Sequence, residues 1–322
     1  MGEFELIRRF FASAACAAGG EGIALGIGDD CALLQLPAGE QLAISTDTLV
    51  AGVHFPDDAD PFLLGQRALA VSASDLAAMG AKPVAFTLAL TLPAARADWL
   101  DGFARGLCAM ASGCGIGLVG GDTTRGPLSL TLTVFGRVPA GQALTRAGAR
   151  PGDLLCVGGS LGDGGGALPL VLGELKHNGP EADYLLQRYW APQPQLALGQ
   201  ALRGRATAAL DISDGLLADC GHIAAASGVA LWVEADKLPL SAALEGLFSR
   251  EFARNCALSG GDDYRLAFTL PASELAAILA DWPEVAVIGR VEVGQGVHLL
   301  DAAGIELQPP ALGYQHFGSQ GD

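Results

Sequence analysis

Ile44-Ser45-Thr46-Asp47-Thr48 closes a short apolar run, Leu42-Ala43-Ile44, and sets hydroxyls beside a carboxylate. The run reads as a buried strand, which places Asp47 near a strand end. Oxygen donors of this kind suit hard cations such as Mg²⁺, which take one or two carboxylates together with phosphate oxygens. One Asp cannot hold a cluster of ions. Carboxylates from elsewhere in the chain would have to meet it.

Related stretches recur along the sequence. They are Gly26-Ile27-Gly28-Asp29-Asp30, Asp75 within Ser72–Gly80, and Gly120-Gly121-Asp122-Thr123-Thr124-Arg125. Further on come Asp211-Ile212-Ser213-Asp214-Gly215 and Ser259-Gly260-Gly261-Asp262-Asp263-Tyr264. Each alone fits an ordinary role as a turn acid or a cap, and Asp214 suits the N-cap of a helix running through Ile223. Together they shift the balance. Asp30, Asp47, Asp75, Asp122, Asp211 and Asp214 are flanked by small residues, and only Asp122 has a basic neighbour, Arg125. Carboxylates converging without cations would repel. Several divalent ions holding a polyphosphate account for them economically, and imply phosphoryl transfer by positioning and electrostatics.

Competing chemistries lack their residues. The three Lys (82, 176, 237) lie outside Gly-rich loops, so no Walker-type phosphate loop is expected. His54, His177, His222, His298 and His316 are too scattered for a zinc site. Seven Cys without a CxxC pair suggest reduced, mostly buried thiols in a cytoplasmic protein. A net charge of −16 argues against nucleic acid as partner. No apolar run approaches a membrane span, and no cleavable signal pattern is evident.

At 322 residues and 50% hydrophobic, the chain suggests two domains. Apolar spacing predicts helices over 3–17, 61–79 and 94–114. Strands are predicted over 83–93, 116–119 and 128–138. The first half thus reads β-α-β-α-β-β, an α+β sandwich with two long helices on one sheet face. Residues 1–138 form an expected N-terminal metal- and ATP-binding domain, 139–153 a Gly/Pro-rich joint carrying Arg146, and 154–322 a C-terminal α/β domain. In the latter, strands are predicted near 154–157, 208–211, 229–233, 266–269, 285–291 and 297–300. Helices are predicted near 181–189, 193–203, 241–256 and 273–280.

These motifs in this order closely resemble the bacterial thiamine-monophosphate kinase family. Gly26–Asp30, Ser45–Thr48, Gly52-Val53-His54-Phe55, Asp75–Gly80, Gly120–Thr124, Asp211–Gly215, Gly260–Tyr264 and Gly313-Tyr314 carry the likeness. Gly120-Gly121-Asp122 and Asp211–Gly215 alone indicate the wider aminoimidazole ribonucleotide synthetase-like superfamily. The resemblance implies ATP-dependent conversion of thiamine monophosphate to thiamine diphosphate by direct in-line transfer. It implies a homodimer whose N-terminal sheets pair into a barrel. It also implies Mg²⁺ held by Asp30, Ser45, Thr46, Asp47, Asp75, Asp122 and Asp211, with a further ion on Asp214. Gly121, Asp122, Arg146 and Ser213 would contact ATP, while His54, Asp262 and Tyr314 would contact thiamine phosphate. Two positions depart from the family pattern: Asp262 stands for the usual Glu, and Arg265 for an acid. A sister ATP-dependent, amide-activating synthetase and a non-catalytic Mg·ATP-binding regulator are the alternatives.

Overall fold

The computed structural model describes residues 3–17, 19–308 and 313. The chain divides into two compact units, Met1–Ala143 with Trp190–Leu196, and Leu144–Tyr189 with Ala197–Asp322.

In the first unit, α1 (Glu3–Leu6) runs into a π-helical turn, Ile7–Ala12, which buries Phe10 and Phe11. The short strands β1 (Ile23–Leu25) and β2 (Leu33–Leu34) pair antiparallel. Then follow β3 (Glu40–Val50), α2 (Pro61–Ala78), β4 (Lys82–Leu92), α3 (Ala97–Cys114), β5 (Gly117–Arg125) and β6 (Ser129–Pro139). The sheet order is β3-β6-β4-β5, so β3 and β5 are its two edges. Of its pairings only β4–β5 is parallel. Helix α2 starts at Asp60, whose carboxylate accepts from the amides of Phe62 and Leu63, with Pro61 in the first turn. Asp75 lies within this unbroken helix. The two helices approach so closely that a Cβ on Gly106 would fall 1.9 Å from the Phe62 carbonyl oxygen.

The predicted β-α-β-α-β-β order is present, with three differences. Strand β5 extends through Asp122 to Arg125, because it pairs along β4 as far as Leu92. The stretch Leu42-Ala43-Ile44 is a strand but not a buried one: Leu42 is 39% and Ile44 57% exposed. The reason is topological. Alternate residues of β3 face α2, and those between, Leu42, Ile44, Thr46 and Thr48, face the uncovered side. The third difference concerns sulfur. Cys16 and Cys108 form a disulfide that ties the N-terminal segment to α3, where free thiols were expected. Cys114, Cys156, Cys220 and Cys256 are free and buried, and Cys31 is free and exposed.

The second unit contains β7 (Leu154–Val157), α4 (Asp163–Val171), α5 (Pro180–Trp190), α6 (Leu196–Leu202), β8 (Ala208–Asp211), α7 (Leu216–Ser227) and β9 (Ala230–Glu234). It continues with α8 (Ala242–Leu247), α9 (Arg250–Ser259), β10 (Leu266–Leu270), α10 (Ala272–Asp281), β11 (Ala286–Glu292), β12 (Gly296–Leu300) and β13 (Glu306–Leu307). The sheet order is β13-β12-β9-β11-β7-β10-β8, and only β12 and β9 run parallel. Its core joins Leu155, Val157, Leu210, Leu231 and Ile288 of the sheet to Leu216, Cys220 and Ile223 of α7. The single helix expected over 241–256 is two helices. Ser241 and Ser249 each cap one, accepting from the amides of Leu244 and Phe252.

Candidate functional site

Two groups of the expected residues are assembled, one in each unit. In the first, Ser45 and Asp47 lie on the face of β3 that α2 covers. Ser45 Oγ donates to Asp75 Oδ2 on α2. Ser72, one turn earlier on α2, is fully buried and hydrogen-bonds Asp47. Burial first, and the neighbouring Asp75 carboxylate second, raise the Asp47 pKa to about 6 against the lowering effect of the Ser72 hydrogen bond. Asp47 Oδ2 is nonetheless buried with no hydrogen-bond partner. A buried carboxylate oxygen left unsatisfied beside a second carboxylate is unfavourable by itself and suits a divalent cation. Among the described residues, no three His, Cys, Asp or Glu side chains form a metal cage. The local donor set is two carboxylates and hydroxyls, which leaves coordination places for phosphate oxygens or water.

Thr46 does not join this group through its side chain. Its hydroxyl lies on the opposite sheet face, 2.9 Å from that of Thr133. Asp30 is exposed in the bend after β1. Gly121 and Asp122 sit on β5, at the far edge of the sheet from Asp47. Gly121 must be glycine: its φ is +151°, and a Cβ would fall 1.9 Å from the Leu88 carbonyl oxygen. His54 follows β3, and its Nδ1 accepts from the Val50 amide at 3.0 Å.

In the second unit, Asp211 ends β8 and leads into the Ile212–Gly215 turn. The turn is held from within. Asp219 Oδ2 accepts from the amides of Ser213, Asp214 and Gly215 at 3.0, 3.0 and 3.1 Å. The N-cap position of α7 is therefore Gly215, at φ +120°, and the capping carboxylate is Asp219 rather than Asp214. Burial lifts Asp219 to about 6 despite the amides that lower it. The Gly260–Tyr264 loop packs on the same turn: the amides of Asp262 and Tyr264 donate to the carbonyls of Ser213 and Ile212. Tyr264 donates its hydroxyl to Asp262 Oδ1 at 3.1 Å. Asp262 and Tyr264 both adopt positive φ, 68° and 48°. Ser213, Asp214 and Asp262 are thus brought into one hydrogen-bonded loop pair. Arg146 is exposed, with its carbonyl accepting from Ser227 Oγ. Tyr314 lies outside the described residues.

Ser72 and Asp219 were not singled out from the sequence. Asp219 had a signal, an acid in the first turn of a helix after a Gly-containing loop. Ser72 had none, since its role exists only once α2 lies on β3.

The chain matches the family model "AIR synthase related protein, N-terminal domain" over residues 28–138 and the corresponding C-terminal domain model over 150–301. That defines the class, a two-domain protein of the AIR synthase-like type. A thiamine-monophosphate kinase of Salmonella typhimurium is 49% identical over 278 residues, 86% of this chain and 85% of the relative. The crystal structure of thiamine-monophosphate kinase from Stenotrophomonas maltophilia is 50% identical, with a TM-score of 0.82 over 87% of this chain and 91% of that one. AaThiL complexed with AMPPCP and TMP is 31% identical, with a TM-score of 0.78 over 88% and 89% of the two chains. On this likeness the chain belongs to the thiamine-monophosphate kinase family.

Proposed function

We propose that this chain transfers the γ-phosphoryl group of ATP directly to thiamine monophosphate, with Mg²⁺, to give thiamine diphosphate. The observation that carries the reading is the Ser45–Asp47–Asp75 cluster with its unsatisfied Asp47 oxygen. The complex of the relative with AMPPCP and TMP supports it. The acceptor is a phosphate oxygen, already anionic near neutral pH, so the protein needs no general base. Its work is to hold two anions in line.

In this proposal Asp30, Ser45, Thr46, Asp47, Asp75, Asp122 and Asp211 hold Mg²⁺, and Asp214 holds a further ion. Thr46 would contribute through its backbone carbonyl, since its hydroxyl faces away. Bound there, Mg²⁺ would offset the charge on the transferring phosphates. Gly121, Arg146 and Ser213 contact ATP, and His54, Asp262 and Tyr314 contact thiamine phosphate. A cytoplasmic location fits that substrate pair. Among the described residues, no helix is long and apolar enough to cross a membrane.

The homodimer belongs to the same proposal. Asp47 and Asp122 lie on opposite edge strands with two strands between, roughly 14 Å at the usual strand spacing. One ion cannot bridge that gap. A second copy would close it by bringing its β5 edge to this β3 edge, and curling the joined sheets into a barrel would enclose the face that carries Leu42 and Ile44. Purified protein incubated with Mg²⁺, ATP and thiamine monophosphate should yield thiamine diphosphate by chromatography. Absence of that product, with ATP still bound, would reject the kinase in favour of a nucleotide-binding regulator.

A further inference from the structure

Arg265 precedes β10, and its guanidinium lies over Gly159, where a Cβ on the glycine would meet Arg265 Cζ at 3.5 Å. Its Nε is buried with no hydrogen-bond partner. Among the described residues, no carboxylate forms an ion pair with it. The acids nearest to it are already engaged. Asp163, fully buried, accepts from the hydroxyls of Ser160, Tyr184 and Ser241 and pairs with Arg188 at 3.6 Å. Asp263, 1% exposed, accepts from the amides of Gly162 and Gly164 at 2.7 and 3.2 Å. A carboxylate offers about four lone-pair sites, so Asp163 is near saturation. Burial, and then the adjacent Arg188 charge, hold Arg265 below the usual guanidinium range. Asp263 and Asp163 attract this charge from a distance but spend their oxygens elsewhere, and a largely buried guanidinium N–H left unpaired is unfavourable unless something else meets it.

What it meets is a cavity of about 630 Å³, lined by Arg265 with Ser160, Tyr184, Ser241, Glu181 and Glu284. We propose that this cavity binds a small oxyanion, a phosphate or a carboxylate, which accepts charge-assisted hydrogen bonds from Arg265. The lining hydroxyls of Ser160, Tyr184 and Ser241 point their protons at Asp163, so Arg265 is the principal donor. Glu181 and Glu284, also in the lining, repel additional negative charge. The site therefore selects a single compact anionic group and rejects polyphosphates such as ATP. It belongs to the second unit, whereas the Asp47–Asp75 cluster belongs to the first, and it does not depend on the kinase reading.

Inorganic phosphate is the probe, added in EDTA so that acid-lined sites without metal hold no phosphate. At constant ionic strength, phosphate should raise the unfolding midpoint of the wild-type chain. Arg265→Gln should weaken that response by about tenfold or more, the worth of one charge-assisted hydrogen bond, and Arg265→Lys should retain part of it. A second measurement needs no variant. Phenylglyoxal labelling of Arg265, read by peptide mass spectrometry, should slow when phosphate is present. Formate in place of phosphate separates the two sources: protection by formate alone marks a carboxylate site, by phosphate alone a phosphate site. Equal midpoint shifts in wild type and Arg265→Gln, or labelling unaffected by both anions, would overturn the proposal.

Discussion

In metal-free protein, replacing Asp47 by Asn should make the fold more stable while removing the activity. The Asp47 pKa stands at about 6 against an ordinary 3.8, through burial first and Asp75 second. The folded state therefore binds this proton more tightly than the unfolded chain. Ionised Asp47 lowers stability by at most about 3 kcal/mol. The loss is complete above pH 6, fades as pH falls toward 3.8, and is absent below. Because Asp47 is half-buried, about 1–3 kcal/mol is the expected gain for the Asn variant at pH 7.5. At about 2–4 °C per kcal/mol for a unit of this size, the midpoint should rise roughly 2–12 °C. Differential scanning fluorimetry in EDTA reads this directly, and the two proteins should converge as pH approaches 4. Adding Mg²⁺ should then raise the wild-type midpoint and leave the variant nearly unchanged. A less stable variant in EDTA, or equal responses to Mg²⁺, would show that Asp47 and Asp75 are a structural pair and not half of a metal site.

Further outcomes follow from the same structure. Gly121→Ala should destabilise by about 2–4 kcal/mol in urea, because its Cβ meets the Leu88 carbonyl and its φ disfavours a side chain. Asp219→Ala strips three amides of their acceptor and should lower stability by about 2–4 kcal/mol while raising the KM for ATP; an unchanged KM would separate the cap from the site. Dithiothreitol should lower the midpoint of wild type by the equivalent of about 2–4 kcal/mol and leave Cys16→Ser unmoved, since the bond closes a loop of 92 residues. Mixing inactive Asp47→Asn and Asp122→Asn chains should restore about a quarter of wild-type activity if each site draws on both protomers. Restoration fails if one protomer supplies both acids.

Local chemistry determined much of this protein in advance. Apolar spacing with Gly and Pro punctuation marked the β-α-β-α-β-β order. Strings such as Asp211-Ile212-Ser213-Asp214-Gly215 pointed to an anion-handling family because several of them recur in one chain, where a single one would pass as a turn or a cap. Tertiary structure decided what periodicity leaves open. Whether Leu42 and Ile44 are buried depends on which sheet face α2 covers, and strand alternation is the same either way. Ser72 becomes a partner of Asp47 only when α2 lies across β3. Asp219 rather than Asp214 holds the Ser213–Gly215 amides, because the helix returns its own first turn toward the loop. The Cys16–Cys108 bond spans 92 residues and no local pattern announces it. Contacts between distant segments carry these features, and sequence proximity records only the near ones.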